Sequence, residues 1–261
     1  MQEVLQEKQI ATFHAHTTRC HHAEGTEREY IESALKGGMK VLGFSDHAPY
    51  MFPDGYYSNF RMEPDKLDGY VTTLEKLKEE YKDRITIHIG LEMEYYPDLL
   101  KKQMEFLKGY PLEYLILGQH FTKNEYDGAG SGAPTTDESR LKDYVDQVIE
   151  GASTGAFLYV AHPDLLNYVG DAAVYDKYMR RLCRETKKLN IPLEINLLGI
   201  WNGRHYPNPA FWQIAGQEGC PVVTGSDAHQ PDKVYQPDTY ARAMDIVRKY
   251  GLNYIGEEEL L

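Results

Sequence analysis

Cysteine is scarce in this chain of 261 residues: Cys20, Cys183 and Cys220 are its only three, too few and too scattered for a disulfide framework. Long apolar runs are missing as well. None approaches the roughly 20 residues needed to span a bilayer, so no membrane partner is expected. The opening MQEVLQEKQI lacks the basic, apolar and small-residue zones of an export signal, and a reducing cytoplasm is the expected location. Positive charge is also in deficit. Lys and Arg number 28 against 40 Asp and Glu, a net charge of −12 that repels a long polyanion and argues against nucleic acid as a partner. A small anion remains compatible if bound metal ions reverse the local field. Linkers and low-complexity stretches are absent, so residues 1–261 are read as one domain, of a length usual for a single α/β barrel.

What is present is alternation. The runs QIATFHAH (9–16), VLGFSDH (41–47), ITIHIGLEM (85–93), YLILGQH (114–120), FLYVAH (157–162), PLEINLL (192–198) and PVVTGSDAH (221–229) have the composition of seven strands. Amphipathic helical patterns lie between them. In TEREYIESALKGGM, Thr26 and Glu29 have capping-box spacing, and Gly37 and Gly38 supply the stop. Strands that alternate with helices are expected to be parallel, with right-handed crossovers. A parallel barrel then gathers every strand C-terminus at one face, whereas the rival flat, doubly wound sheet concentrates its site at one switch point. The expected fold class is α/β and barrel-like. Two long irregular stretches, 48–62 and 121–137, have the length of functional lids, and Tyr50, Tyr56 and Tyr57 would form a wall of the first.

Five of the seven strand runs end in His, two of them with an Asp one or two positions before it, and a sixth ends in Glu92 followed by one Met. His14 and His16 are two apart on an extended run, so both side chains point to one face and can grip one metal ion. That spacing alone is a weak signal. Joined to Glu92, His120, His162, Asp227 and His229 at the other strand ends, it becomes a set that exceeds the needs of one ion, so two or three divalent ions are expected. Imidazole and carboxylate suit zinc, manganese or iron, while magnesium and calcium prefer oxygen cages.

The motifs His14-Ala-His16, Ser45-Asp46-His47, Gly90-Leu91-Glu92, Gly118-Gln119-His120, Ala161-His162-Pro163 and Ser226-Asp227-Ala228-His229 also carry a resemblance. In their order and at these strand ends they are similar to those of the PHP (polymerase and histidinol phosphatase) superfamily, over essentially the whole chain. Within it the chain looks most like the histidinol-phosphate phosphatases, because HTTRCHHAEGT is similar to their HT-x-x-C-x-HAEG segment and GRHYPNPAFW to their Tyr-Pro-x-Pro segment. The resemblance implies a distorted seven-stranded, TIM-like (β/α)7 barrel with a three-metal site. Carried over, one ion would take His14, His16, Glu92 and Asp227, with Glu92 bridging to a second held by His120 and His162. The third would take His22, His47 and His229.

The activity so implied is metal-dependent hydrolysis of L-histidinol phosphate to L-histidinol and phosphate, in histidine biosynthesis. A hydroxide bridging two ions would attack, since even one zinc lowers the pKa of water to about 7. Glu92, Asp227 and His229 are the candidate catalytic side chains, the last two as supporting proton donors. A guanidinium matches the remaining phosphate oxygens, and Arg61, Arg204 and Arg19 are the candidates, each set against an ordinary solvated role. His88 is expected to be a core histidine, Cys20 a spectator, Asp46 an orienting partner of a ligand, His21 a solvent residue and GEEELL a solvated tail, while His205 is either a substrate-facing residue or a loop histidine with no metal role. The alternatives are a phosphodiesterase, an exonuclease or a phosphatase of nucleotides or other small esters, and a non-catalytic metal-stabilised barrel. The oligomeric state is left open.

Overall fold

The structure is a computed structural model and describes residues 8–258, 260 and 261. Most of the N-terminal segment read above for export features lies outside the described residues. Strands β1 (Ala11–Thr12), β2 (Val41–His47), β3 (Thr86–Met93) and β4 (Tyr114–Leu117) form a parallel sheet in sequence order, curled into a half-barrel. A short antiparallel hairpin, β5 (Phe121–Thr122) with β6 (Ala129–Gly130), follows. A second parallel sheet holds β7 (Leu193–Asn196), β8 (Pro221–Gly225) and β9 (Asn253–Tyr254). Single parallel bridges join the two sheets, through Val160 to both Leu117 and Leu193 on one side and from Ala15 to Ala228 on the other.

Helices α1 (Glu27–Gly37), α2 (Leu67–Tyr81), α3 (Pro97–Leu107), α4 (Glu138–Ser153), α5 (Ala172–Lys188), α6 (Leu197–Trp201), α7 (Pro209–Glu218) and α8 (Pro237–Tyr250) fill the connections. Helix α1 has the expected ends. Thr26 and Glu29 satisfy each other's backbone N–H groups, and Gly38 leaves the helix with φ 75°. None of the helices among the described residues is long and apolar enough to cross a membrane.

The period of two sorts each strand into two packing layers. Leu42, Phe44, Ile87, Ile89, Leu91, Leu115 and Leu117 face the helices and join the large core. Their alternates Val41, Tyr114 and Ile116 face inward with Ala11, Phe13, Tyr159, Ala161 and Val223 and fill a second, smaller core inside the curl. Toward the strand C-termini the inward positions become polar, with His47 and Glu92 at the ends of β2 and β3.

Several strand expectations change. The run 9–16 is paired as a strand only at Ala11–Thr12, because the backbone bends at Phe13. Phe13 stays in the inner core while His14 and His16 also turn inward. Within 157–162 only Val160 forms a ladder bridge. In 192–198 the strand stops at Asn196, whose side chain accepts the Gly199 N–H and caps α6, so Leu197 and Leu198 are helical. The C-terminal GEEELL is not a free tail: Glu257 is buried and accepts hydrogen bonds from the N–H and hydroxyl of Thr224.

Candidate metal centre

The parallel register builds the centre. His47 on β2 is paired directly with Glu92 on β3, so the two side chains stand next to each other at the strand ends. Glu92 then occupies the middle of the cluster. Its Oε1 is 2.8 Å from His162 Nε2 and 3.5 Å from His120 Nε2. Its Oε2 is 3.0 Å from His47 Nδ1, 3.5 Å from His14 Nε2 and 3.6 Å from His16 Nε2. Asp227 Oδ1 closes the other side, 3.1 Å from His16 Nε2 and 3.5 Å from His14 Nε2. Toward the mouth, His22 Nε2 and His229 Nε2 are 3.0 Å apart. All nine residues expected in the metal set are therefore gathered at one end of the barrel.

Further carboxylates fix how the rings point. Glu194, on β7, accepts from His14 Nδ1 at 2.7 Å and from the His162 N–H at 3.0 Å. Asn196 joins it, bridging Glu194 to Asp227 at 3.0 and 3.1 Å. Glu94 accepts from His120 Nδ1 at 2.9 Å. Asp46 accepts the His47 N–H and both donors of Thr17, and lies 3.5 Å from His16 Nδ1. Carboxylates that grip one ring nitrogen leave the other turned to a metal, and raise its basicity.

A cation fits this arrangement on two counts. His14 Nε2, both nitrogens of His16, His47 Nδ1 and Glu92 Oε2 are buried with no hydrogen-bond partner, and orphaned buried polar atoms each cost about 1–3 kcal/mol. The field is also strongly negative. Burial alone would drive the His14 imidazole toward neutrality, yet Glu194, Asp227 and Glu92 together push it up to about 10. Burial would likewise raise Glu92, but His120, His14 and His47 hold it well below the usual carboxylate range. His229, nearer the mouth, is instead pushed down to about 3 by burial and by His16. Groups of ligand atoms close enough to hold an ion include His14, His16 and Glu92; His14, His162 and Asp227; His16, His47 and His229; and Cys20, His22 and His229. Cys20 Sγ, placed among them, donates to the Thr17 carbonyl at 3.1 Å.

The cluster opens into a cleft of about 350 Å³, lined by His22, His47, His120, His162, Asp227 and His229 on the buried side. Phe60 stands over it, its ring 4.3 Å from His47, 5.0 Å from His120 and 5.4 Å from His22. This phenyl, not the tyrosines of the same loop, is the aromatic wall: Tyr50 is buried behind it, and Tyr57 is 60% exposed.

Of the three candidate arginines only Arg204 lines the cleft, where it donates to the Tyr206 hydroxyl at 2.8 Å. Arg61 is buried behind the histidines. Its guanidinium donates to Glu94 at 2.9 Å, to Glu125 and to the Ala48 carbonyl, with the rings of Tyr50, Phe52 and Phe60 around it. Every face of the fork is engaged, so Arg61 braces Glu94, and through it His120. Arg19 pairs with Glu27 outside the cleft.

His21 is 3.3 Å from Glu63, away from the cluster. His205 Nε2 donates to the Leu165 carbonyl at 2.8 Å, and the residue does not line the cleft. His88 points inward against Phe13, but it is half-buried and held by Glu113 at the opposite end of the barrel rather than enclosed in the core. Sequence reasoning missed Glu194, Glu94, Asn196, Phe60, Trp201 and Lys233. Glu194 and Asn196 had a signal, since both sit on the inward parity of β7.

An α/β half-barrel whose parallel strand ends converge on buried imidazoles and carboxylates defines a metal-binding protein of the barrel type. The chain belongs to the PHP domain family, whose model matches residues 12–197. It is 30% identical over 234 residues to a probable histidinol-phosphatase of Deinococcus radiodurans, covering 85% of this chain and 86% of that protein. It is 28% identical over 257 residues to a histidinol-phosphatase of Bacillus subtilis, covering 85% and 94%. Its fold is similar to the crystal structure of histidinol phosphate phosphatase from Lactococcus lactis, complexed with zinc, L-histidinol and phosphate. That match has a TM-score of 0.73 at 18% identity and covers 95% of each chain.

Proposed function

We propose that this protein is a cytoplasmic, single-domain, metal-dependent phosphomonoesterase that hydrolyses L-histidinol phosphate to L-histidinol and phosphate. The observation that carries the reading is Glu92, set with one oxygen toward His120 and His162 and the other toward His14, His16 and His47. The names of the Deinococcus and Bacillus relatives point to the substrate. The barrel is read as seven parallel segments, counting the single-bridge stretch at Val160 and leaving aside the two-residue β9 at the edge of β8.

In this reading the ligands are His14, His16, Glu92 and Asp227 for one ion, His120 and His162 with Glu92 for a second, and His22, His47 and His229 for a third. Two or three ions of zinc, manganese or iron would supply Lewis-acid stabilisation of the phosphoryl oxygens and a nucleophile from water. The chain's own part is orientation and proton traffic. Glu92 stands between two groups of imidazoles, His120 and His162 on one oxygen and His14, His16 and His47 on the other. Asp227, buried against His14 and His16, and His229, nearer the mouth, line the cleft where a proton must pass to the departing alkoxide. Phe60 covers the histidines and limits water, and Arg204 is placed to meet the ester at the rim.

Elemental analysis combined with steady-state kinetics tests this. Purified protein is expected to carry two to three ions and to favour histidinol phosphate over nucleotides and general phosphomonoesters. His22→Ala should lose one ion and most activity, while His21→Ala keeps both. A metal-loaded enzyme that preferred nucleotides, or ignored histidinol phosphate, would overturn the substrate.

A further inference from the structure

Arg204 and Lys233 are the only Lys or Arg side chains among the described residues lining the cleft. Lys233 has an unusual setting. It ends the short turn Pro231–Lys233, which begins two residues after His229. The backbone of that turn is pinned. The Lys233 N–H donates to the Gln230 carbonyl at 3.0 Å, its own carbonyl accepts from Gln236 at 2.7 Å, and the next carbonyl accepts from Gln9 at 3.0 Å.

The side chain, by contrast, is loosely held. Its ammonium rests 4.8 Å from the ring centre of Trp201, across the cleft on α6, and its ion partner is the neighbouring Asp232, itself 70% exposed. Such exposed cation–π and ion-pair contacts are each worth about 1 kcal/mol or less. Trp201 itself is 38% exposed, a large apolar surface at the rim for which packing gives no reason.

We propose that Lys233 is a phosphate-binding residue of this cleft, resting on the Trp201 indole in the free protein and leaving it for the phosphoryl oxygens when the ester binds. The inference rests on the phosphomonoesterase reading above. Lysine suits the task because its ammonium is a compact point charge on a flexible stem, able to follow an anion that enters from solvent. The need is plain in a chain of net charge −12, which otherwise repels a phosphate dianion. With Arg61 and Arg19 committed to carboxylates elsewhere, Lys233 and Arg204 are the cations left to draw the substrate in.

The test uses zinc-loaded protein of measured metal content, with inorganic phosphate and histidinol phosphate as probes. Lys233→Met is expected to weaken inorganic phosphate binding about tenfold by calorimetry, the scale of one charge-assisted hydrogen bond. It should lower kcat/KM for histidinol phosphate by a similar factor, with the loss carried by KM. Lys233→Arg should recover most of both. Phosphate should also change the tryptophan emission of the wild type, and Trp201→Phe should abolish that change. Phosphate affinity unaltered in Lys233→Met at full metal content would overturn the proposal, as would a loss that tracked a loss of metal. A wild type that ignores histidinol phosphate, yet loses phosphate affinity with Lys233→Met, would remove the substrate assignment and leave the anion site standing.

Discussion

Glu194 decides which nitrogen of His14 is free. By accepting from Nδ1 at 2.7 Å it fixes the ring with Nε2 turned toward Glu92 and Asp227, and its second oxygen holds the backbone of His162. Glu194→Gln keeps the volume but removes an acceptor and a charge. It is expected to lower metal affinity about 10- to 100-fold, read by competition with a chelating dye, while far-UV dichroism stays unchanged. At this scale most of the candidate ligands were legible, because they stand at the ends of apolar runs, where burial of a polar group needs a chemical reason; His22, in a polar turn, was legible only through the family resemblance. Their supports were less so. Glu194 has the inward parity of β7 as its signal, but its partner His14 lies 180 positions away and only the fold brings the two together. Arg61 shows the opposite error. An arginine in a long loop suggests an anion, and only packing reveals that Glu94 and Glu125 already occupy it.

Elements transmit these placements through close backbone approach. On β8, a Cβ added at Gly225 would stand 1.7 Å from Glu194 Oε1, so the carboxylate reaches His14 only because that position is bare. Gly225→Ala should therefore displace Glu194 and reproduce the metal-affinity loss of Glu194→Gln. Gly69→Ala, in α2 with open space around it, should leave affinity alone and stabilise by about 0.5–1 kcal/mol, measurable by thermal melting. Just beyond the strands, His162 and Asp227 adopt φ of 30° and 47°. Such left-handed residues cost about 1–3 kcal/mol each and persist where surroundings hold them, as the bonds from Glu194 and Asn196 do here. The alternation of strands and helices, the α1 caps and the parallel order followed from residue patterns. Strand ends did not: Asn196 ends β7 by a local cap on the Gly199 N–H that the apolar run masked, and the chain bends at Phe13 within an otherwise strand-like run.

At the scale of the whole molecule the C-terminal segment packs back onto the sheet, with Glu257 bonded to Thr224 of β8 and Leu260 against the inner core. Glu257 there is 2% exposed, and burial pushes its carboxyl up to about 7, against hydrogen bonds from Thr224 and Tyr254 that act the other way. An unfolded Glu titrates near 4.5. Between those values the folded protein holds more protons than the unfolded chain, so the stability contributed by this group is present below about pH 4.5, falls as pH rises, and levels off above about 7. Glu257→Gln should remove that slope, leaving a variant that gains on the wild type by up to about 3 kcal/mol between pH 4.5 and 8, read from melts at constant metal loading. By itself the sequence determined the α/β class, the convergence of six strand ends and the identity of the clustered imidazoles and carboxylates, since period-two patterning and strand termini are local properties of the chain. Only the tertiary structure decided that Glu92 stands at the centre, that Arg61 is a brace and that Lys233 shares the cleft with Arg204. Those facts depend on the register between strands and on contacts between residues far apart in the chain, which no local pattern encodes.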